Sequence, residues 1–430
     1  MDDTHKETGL KYIGKIPKTW HVDRCKNIFD FISRGTSPNY VNQSSFKVVN
    51  QATFSRGYFN ENEIKFTSKI GNLNSYLRKN DILIASTGGG VLGKTYFFDI
   101  DKVNYIADSH ITIIRSKQVK INTKFYFYFF SINFHLINNL LALGSTNQTE
   151  LQKKYLNDLL VVVPQYFEQT EIVNFLDIET KKIDKKIEIL LQKIKIYQFY
   201  KKTIINNAVT KGINFVADKK ICDLLINETV PQNWKIKRLK DISKSLSSGT
   251  TPKSNNQNYY NSGTVNWLNT GDLNDDIINM TSKKLNKIVF NDYPNLKIQE
   301  KGTLVIAMYG ATIGKLGILG IPSTTNQACC CISFKKDQNT KFHFYQLLSL
   351  KTHLLSLSIG GTQPNISQSI ISFLKLLVPP LEEQIEIANY LDQKTSKINN
   401  IIYNIQKQIG LLKEYRKTLI NDAITGKIKV

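Results

Sequence analysis

Two halves of this 430-residue sequence repeat one another, and the repeat constrains the fold more than any other feature. The segment Ile16–Trp20 recurs as Val230–Trp234, and Val163–Asp177 recurs as Val378–Asp392 in nearly the same register. The similarity is strong at the ends of each half and weak in the middle. Chance recurrence at both ends is very improbable, so we expect two copies of one architecture that meet near residue 215.

Each copy closes with a predicted long helix. Pro164 and Pro379 mark the two helix starts, because proline suits the first turn of a helix. Beyond them, apolar residues recur at alternating steps of four and three, the pattern of a coiled-coil seam. The seam residues are Ile183, Ile187, Leu190, Ile194 and Tyr197 in the first helix and Ile398, Ile402, Ile405, Ile409 and Leu412 in the second. We expect a first helix from Glu168 to Thr210 and a matching second one with their seams packed together; amphipathic core helices are the alternative.

The middle of each copy predicts a mixed α/β domain. Asp81–Ala85 and Thr303–Ala307 are short apolar runs that end in glycine turns, which predicts buried strands. Phe125–Leu143 and Phe342–Ser358 are candidate helices, and Asn214–Val230 is the expected connector between the copies. The predicted fold class is therefore α+β, an internally duplicated chain with two mixed α/β domains separated by two long helices.

The charge of the chain favours a polyanionic partner. The chain carries 57 Lys and Arg against 35 Asp and Glu, a net charge of +22 that divides equally between residues 1–215 and 216–430. Nucleic acid and an anionic membrane surface are the two partners that such an excess attracts. Because most of these cations are Lys, the codon bias of an AT-rich genome is an alternative source of the charge.

The sequence disfavours membrane proteins, metalloproteins and enzymes. The polar N-terminus and the interruption of the apolar stretch 125–143 by Asn133 and His135 predict a soluble, cytoplasmic protein without a membrane span. The five cysteines lack zinc-ligand spacing, which predicts reduced, buried thiols and no metal site. The six histidines have no duplicated pattern, so we predict no catalytic residue in this chain.

One segment fits the pattern of a nucleotide-binding P-loop. Gly88–Thr95 matches G-x4-G-K-[ST], but a P-loop needs a following helix to cradle phosphates, and Tyr96–Ile100 reads as a strand. The second copy has Gly310–Lys315 at this place, with a shorter gap and no Ser or Thr after the Lys. The feature common to both copies is a glycine turn that presents a Lys, and an NTPase that uses Gly88–Thr95 is the alternative from another class.

Polar, glycine-containing loops recur in both copies and supply the candidate binding residues. Backbone N–H groups, hydroxyls and Lys suit phosphate contacts, whereas Asn, Gln and Arg can read base edges. The candidates for DNA binding are Arg34, Thr36, Lys94, Thr146, Asn147 and Gln148 in the first copy, and Thr250, Lys253, Thr312, Lys315, Thr362, Gln363 and Asn365 in the second. Ordinary turn chemistry is the alternative for any one of these loops.

The motifs together resemble the specificity subunit of type I restriction–modification enzymes. They are the Pro-x-x-Trp opening, Ser-Gly-Thr-Thr-Pro, Gly-x3-Gly-Lys, Gly-Gly-Thr-Gln-Pro-Asn, and Val-Pro-Pro-Leu-Glu-Glu-Gln before a long helix. The resemblance covers nearly the whole chain and is strongest in the second half. The first half departs from it at Val163–Gln169, which lacks the second proline, and in its glycine turn, which has one extra residue.

The resemblance implies a domain plan and a function. It implies target-recognition domains at 1–163 and 214–378, with spacer helices at 164–213 and 379–430 packed as an antiparallel coiled coil. Each domain would read one part of a bipartite, asymmetric target in double-stranded DNA. The subunit would have no catalysis of its own and would position two adenine-N6 methyltransferase subunits and, where present, restriction subunits.

The resemblance also implies where the cofactors belong. S-adenosylmethionine, ATP and Mg would belong to the partner subunits, and this chain would bind no cofactor. A coiled-coil scaffold without DNA recognition is a further alternative.

Overall fold

Both long helices are shared between the two units into which the chain divides. A computed structural model describes residues 4–68, 73–88, 90–102, 104–133, 142–143, 149–213, 218–222, 228–358 and 365–430. Unit 1 contains Met1–Leu190 and Gln406–Val430, and unit 2 contains Leu191–Ile405. Each unit therefore combines a globular α/β part with segments of both long helices.

Unit 1 contains the first copy of the repeat. Its strands are β1 His5–Glu7, β2 Lys15–Pro17, β3 His21–Arg24, β4 Phe31–Arg34, β5 Tyr40–Val41, β6 Phe46–Val49, β7 Lys65–Thr67, β8 Asp81–Ala85, β9 Thr95–Phe98, β10 Tyr105–Ala107, β11 Ile111–Arg115, β12 Ala142–Leu143, β13 Glu150–Leu151 and β14 Leu160–Val163. Its helices are α1 Cys25–Ile28, α2 Gln51–Phe54, α3 Thr123–Ile132, α4 Lys153–Asp158 and the first part of α5 Tyr166–Lys211.

Two four-stranded sheets organise unit 1. One is antiparallel, in the order β4-β11-β8-β9, and the other has the order β10-β6-β7-β5, with β10 parallel to β6. Strand side chains alternate between two faces. Leu83 of β8 therefore packs towards Phe54 and Tyr105 of the second layer, whereas Ile82 and Ile84 belong to the core around helices α3 and α5.

Unit 2 contains the second copy. Its strands are β15 Lys219–Cys222, β16 Glu228–Pro231, β17 Lys235–Arg238, β18 Ser243–Ser248, β19 Val265–Leu268, β20 Asp276–Ile278, β21 Lys283–Leu285, β22 Leu304–Ala307, β23 Leu316–Leu319, β24 Thr324–Thr325, β25 Cys329–Phe334 and β26 Lys375–Val378. Its helices are α6 Leu239–Ile242, α7 Val289–Asp292, α8 Thr340–Ser349, α9 Lys351–Ser356, α10 Gln368–Phe373 and parts of α5 and α11 Leu381–Ile424.

The sheets of unit 2 follow the same plan. The antiparallel sheet β18-β25-β22-β23 gains a fifth strand, β20, and the second layer is β21-β19-β24 with β24 parallel to β19. The duplication predicted from the sequence is thus a duplication of sheet topology, including the middle of each copy, where the sequences barely match.

The two long helices confirm the predicted coiled coil. Helix α5 is 46 residues long and α11 is 44 residues long, close to the predicted extents. All ten predicted seam residues are buried or half-buried. In unit 1 the guanidinium of Arg416 donates to the carboxylate of Asp184 at 2.9 and 3.2 Å, and in unit 2 the ammonium of Lys201 donates to Asn399 Oδ1 at 2.9 Å. The start of each helix therefore packs beside the end of the other, which is antiparallel packing.

Three local expectations need correction. The helix in the predicted range 125–143 is described as far as Ile132, and Asn133 Nδ2 donates to the carbonyl of Phe129 in its last turn. Residues 134–141 lie outside the described residues, and residues 142–143 form β12. The candidate helix 342–358 is two helices, α8 and α9, which meet at Leu350. The expected connector contains the antiparallel pair β15–β16, the counterpart of β1–β2.

The free, buried cysteines agree with the sequence analysis. All five cysteines are free and buried, and burial raises the pKa of the Cys330 thiol to about 12. Among the described residues, His, Cys, Asp and Glu form no group that could hold a metal ion. Within the same residues, no helix is long and apolar enough to cross a membrane.

Candidate nucleic-acid interface

The glycine turn of each unit leads into a strand, which disfavours the P-loop alternative. In unit 1 the turn closes at Gly93, in left-handed conformation with φ +85°, and Thr95 begins β9 directly after Lys94. In unit 2 Gly314 has φ +73° and Leu316 begins β23. A phosphate cradle of the P-loop type needs the N-terminus of a helix at this place, and both units have a strand there.

The polar loops that the sequence analysis selected meet at one edge of each unit. In unit 1 the backbone N–H of Gly88 donates to Thr149 O at 3.2 Å, and Thr87 forms an antiparallel bridge with Glu150. In unit 2 Tyr309, before the glycine turn, forms the same bridge with Asn365.

A glycine at the end of β4 and of β18 lets a third loop join this edge. A side chain at Gly35 would overlap the carbonyl oxygens of Ala107 and Asp108, and one at Gly249 would overlap the carbonyl of Thr325. The backbone can approach this closely only without a Cβ, which explains the Gly-Thr pair that the two copies have in common.

Parallel strands bring further residues to the same edge. Strands β6 and β10 are parallel neighbours, so the residues that follow them, Asn50–Gln51 and Asp108–His110, emerge side by side. Strands β19 and β24 place Asn269–Thr270 and Asn326–Ala328 in the same way. Crevices outside the carboxyl ends of parallel strands are frequent binding sites in α/β proteins.

Four pairs of equivalent backbone hydrogen bonds align the two edges residue by residue. In the first pair Asp108 N donates to Val49 O and Asn326 N to Leu268 O, both at 3.0 Å, and in the second Ser86 N donates to His110 O and Met308 N to Ala328 O, both at 2.8 Å. In the third pair Leu151 N donates to Ser86 O at 2.9 Å and Ile366 N to Met308 O at 2.8 Å. In the fourth pair Thr36 N donates to Ala107 O at 3.3 Å and Thr250 N to Thr325 O at 2.9 Å. We name the edge of unit 1 rim 1, formed by Arg34, Gln51, Thr87, Ser109, His110 and Glu150. Rim 2 is the edge of unit 2, formed by the equivalent residues Ser248, Thr270, Tyr309, Gln327, Ala328 and Asn365.

Rim 1 is held together by side-chain hydrogen bonds. Gln51 Nε2 donates to Thr87 Oγ1 at 2.8 Å, and the same hydroxyl lies 2.8 Å from His110 Nδ1. Beneath them the carboxylate of Asp108 accepts from the backbone N–H of His110 at 2.9 Å, and burial raises the pKa of this carboxyl. The exposed imidazole of His110 and carboxylate of Glu150 face solvent at this edge.

Rim 2 presents different groups on the same frame. Ser248 Oγ donates to Gln368 Oε1 at 2.8 Å, and Asn326 Nδ2 donates to Asn269 Oδ1 at 3.4 Å. Tyr309, Gln327 and Asn365 are exposed.

The predicted residues of unit 1 take two kinds of place. Arg34 lies in rim 1, but its guanidinium also donates to Glu150 Oε1 at 3.3 Å and to Leu151 O at 3.1 Å, so it braces the edge. Thr36 accepts from Ser75 Oγ at 2.9 Å. Lys94 Nζ donates to the carbonyl of Ser55 at 2.8 Å, which ties the glycine turn to the end of α2.

The predicted residues of unit 2 lie in the loop after β18, in the glycine turn and in rim 2. The carbonyl of Thr250 accepts from Trp267 Nε1 at 3.2 Å. The backbone N–H of Lys253 donates to Tyr293 OH at 3.1 Å, and the side chain of Lys253 is exposed. Thr312 Oγ1 donates within its own turn to Tyr309 O at 3.0 Å, and Lys315 follows Gly314, half-buried. Asn365 is exposed in rim 2.

Some predicted and some unpredicted residues need separate mention. Thr146, Asn147, Gln148, Thr362 and Gln363 lie outside the described residues. Sequence reasoning missed these rim residues: Gln51, Thr87, Ser109, His110, Glu150, Ser248, Thr270, Tyr309, Gln327 and Ala328. DNA contact by any of the predicted residues stays a prediction.

Comparison with known proteins identifies the family. The family model of the type I restriction modification DNA specificity domain matches residues 17–212 and 231–410. The specificity subunit of the type I restriction enzyme MjaVIII of Methanocaldococcus jannaschii is 24% identical over 438 residues, which cover 99% of this chain and 97% of that protein.

Two solved structures have a similar fold. One, described for assembly and conformational transition of the type I R-M system, has a TM-score of 0.74 and 16% identity, and covers 96% of this chain and 99% of its own. The HsdS subunit from Thermoanaerobacter tengcongensis has a TM-score of 0.52 and 14% identity, and covers 96% of this chain and 98% of its own. Because the family model matches both copies of the repeat over most of their length, the chain belongs to the type I restriction–modification DNA specificity family.

Proposed function

We propose that this chain is the non-catalytic, sequence-specific DNA-binding subunit of a type I restriction–modification complex. Each globular part would read one half of a bipartite, asymmetric target, with recognition domains at 1–163 and 214–378. The helices, with spacer boundaries at 164–213 and 379–430, would set the gap between the half-sites. The observation that carries the proposal is one sheet framework built twice, with equal charge in each half of the chain.

The proposal assigns the chemistry to partner subunits. The chain would bind no cofactor, and S-adenosylmethionine, ATP and Mg would act in two adenine-N6 methyltransferase subunits and in restriction subunits where present. The complex would work in the cytoplasm. The long helices offer partner surface, since Phe199 and Tyr403 are 72% and 65% exposed.

Methylation mapping tests the proposal directly. The chain is co-expressed with the adenine methyltransferase subunit of its complex, and modified adenines are mapped across the host genome. We expect modified adenines in two short sequences at a fixed separation. Replacement of residues 25–160 by the matching part of another family member should change one half-site only; an unchanged pattern would favour a scaffold without DNA recognition.

Salt dependence tests the ionic part of binding. If about eight phosphates are neutralised, the logarithm of affinity falls against the logarithm of salt concentration with a slope near −7. Affinity for the mapped duplex that does not depend on salt would contradict the proposal.

A further inference from the structure

We propose that rim 1 and rim 2 are the base-reading surfaces of the two units, and that their six equivalent side-chain positions determine which sequence each unit reads. The inference rests on the function proposed above, because it names the surface through which that function acts. It gives roles to residues such as His110 and Gln327, which no sequence motif contains.

The two rims carry different side chains on a frame with matched backbone hydrogen bonds. At all six positions the two rims differ: Arg34 against Ser248, Gln51 against Thr270, Thr87 against Tyr309, Ser109 against Gln327, His110 against Ala328, and Glu150 against Asn365. Two neighbouring frame positions are unchanged, Gly35 with Gly249 and Asn50 with Asn269, whereas others differ in side chain but keep their backbone hydrogen bonds. Two units that read different half-sites require a common backbone with different hydrogen-bonding groups.

All rim side chains except Ala328 are polar, and each of the twelve is exposed or half-buried. The positions hold hydroxyl, amide, imidazole, carboxylate and guanidinium groups, which are the groups that read base edges in the major groove. His110, Glu150, Tyr309, Gln327 and Asn365 are exposed, whereas the strand residues directly behind them are closed to solvent. The polar groups therefore stand on a rigid sheet edge, where their positions are well defined.

Each unit has a buried hydrogen-bond acceptor without a donor near its rim. Gln51 Oε1 in unit 1 and Asn326 Oδ1 in unit 2 are buried acceptors that have no donor among the described residues. An acceptor without a donor costs about 1–3 kcal/mol, so such groups call for an explanation. A bound duplex would supply donors, the exocyclic amino groups of adenine and cytosine, once the side chains that cover these oxygens move aside.

The opposite end of each sheet is already occupied. In unit 1 Asn122, the N-cap of α3 in the segment that follows β11, donates its backbone N–H to Gln169 Oε1 of helix α5 at 2.8 Å. In unit 2 Asn339 makes the same bond to Gln384 of α11 at 2.8 Å. The rims lie at the sheet ends that the long helices leave open.

An exchange of rim residues tests the inference in the complex with the methyltransferase. One variant carries Ser109→Gln and His110→Ala, and the second carries Gln327→Ser and Asn365→Glu, so each receives groups that the other rim uses. We expect the first variant to change the sequence of one half-site and the second to change the other, with the gap unaltered. Val119→Gln, an exposed residue beyond the far end of β11, is the control and should leave both half-sites unchanged.

A binding measurement on a milder variant tests rim 1 even if an exchange variant folds poorly. The single substitution Glu150→Asn at an exposed position is compared with the wild-type complex on duplexes that differ by one base pair. We expect discrimination at one or two base pairs of a single half-site to change about tenfold or more. Equal weakening on every duplex, or an unchanged panel, would overturn the assignment of the rim.

The two proposals fail in different ways. If the wild-type complex shows no sequence preference, the proposed function is wrong. If the wild-type preference persists in both exchange variants, the function stands and base reading by the rims is excluded.

Discussion

The indole N–H of Trp20 donates to Glu168 Oε1 at 3.1 Å, and this bond joins the start of unit 1 to the first turn of helix α5. Trp234 and Glu383 form the same bond at 3.0 Å in unit 2. The Pro-x-x-Trp opening and the acidic residue after the helix-starting proline are therefore two ends of one contact. They repeat because both copies dock a long helix in the same way.

Loss of this acceptor should destabilise unit 1. Glu168→Ala leaves the indole N–H and the backbone N–H of Gln165, which also donates to this carboxylate, without a partner. We expect a loss of about 1–3 kcal/mol in the free energy of unfolding, measured by urea denaturation. Glu168→Gln keeps an acceptor and should lose less, and the exposed Glu171→Ala serves as control; equal effects of all three would contradict the role of the bond.

A side chain at Gly249 should displace the loop that leads into rim 2. Because a Cβ there would overlap the carbonyl of Thr325, Gly249→Ala forces β18 and β24 apart. We expect a lower thermal midpoint, corresponding to about 1–3 kcal/mol, and weaker binding of one half-site. Gly271→Ala is the matched control, since a Cβ at Gly271 meets no atom within 4 Å. A Gly249→Ala protein as stable as the control would refute the close approach.

The long helices and the duplication could be predicted because their signals are local in the sequence. The steps of four and three residues from Ile183 onward need only a helical period, and they predicted α5 to within two residues at either end. The break of the helix predicted to begin at Phe342 was missed, since Leu350 is a good helix former and gives no local signal of an end.

The rims could not be predicted because their residues meet through strand pairing. Gln51 and His110 are far apart in sequence and become neighbours through the parallel pair β6–β10, which leaves no local pattern. The equivalence of Gln51 with Thr270 is also hidden, because insertions between the copies change the offset from that of the matched ends. Only the matched backbone hydrogen bonds reveal it.

Unit 1 contains a buried ion pair that unit 2 replaces by hydroxyls. Arg115 donates to both carboxylate oxygens of Asp81 at 2.6 Å, whereas the equivalent Thr303 and Ser333 of unit 2 place their hydroxyls 3.5 Å apart. Arg115→Met should cost about 3–5 kcal/mol, because it leaves a buried charge unpaired. The double change Asp81→Thr with Arg115→Ser should lower the free energy of unfolding, measured by urea denaturation, less than Arg115→Met does. A double variant whose loss of stability equals the sum of the losses of the two single variants would show that Asp81 and Arg115 act independently.

The buried His343 should make unit 2 sensitive to acid. Its ring stacks on Phe334, and burial lowers the pKa of this imidazole from 6.5 to about 4. The unfolded chain takes up a proton below about pH 6.5, whereas the folded unit resists protonation until about pH 4. The stability is therefore complete above pH 6.5 and falls as the pH decreases through this window, by about 3 kcal/mol at most.

Unfolding free energies between pH 4 and pH 7 measure this effect. His343→Phe keeps a ring against Phe334 but removes the titratable group. The slope of the unfolding free energy against pH should therefore decrease by the equivalent of up to one bound proton. The exposed His353→Ala should leave the pH dependence as in the wild type. An unchanged slope in His343→Phe would assign the acid sensitivity to other groups.

Shortening both helices should shorten the gap between the half-sites. Removal of residues 191–197 and 403–409 takes one heptad from each helix, so the seam pattern continues across both joins. Seven residues at 1.5 Å each shorten a helix by about 10 Å, which corresponds to about three base pairs at 3.4 Å. Mapped methylation should then show both half-sites unchanged, with a gap about three base pairs shorter. If the shortened complex cannot reach two sites, it should show no modification.

Removal of four residues from each helix is the comparison, since it breaks the seam and should abolish modification. An unchanged gap after removal of the heptads would contradict the role of the helices in setting the gap.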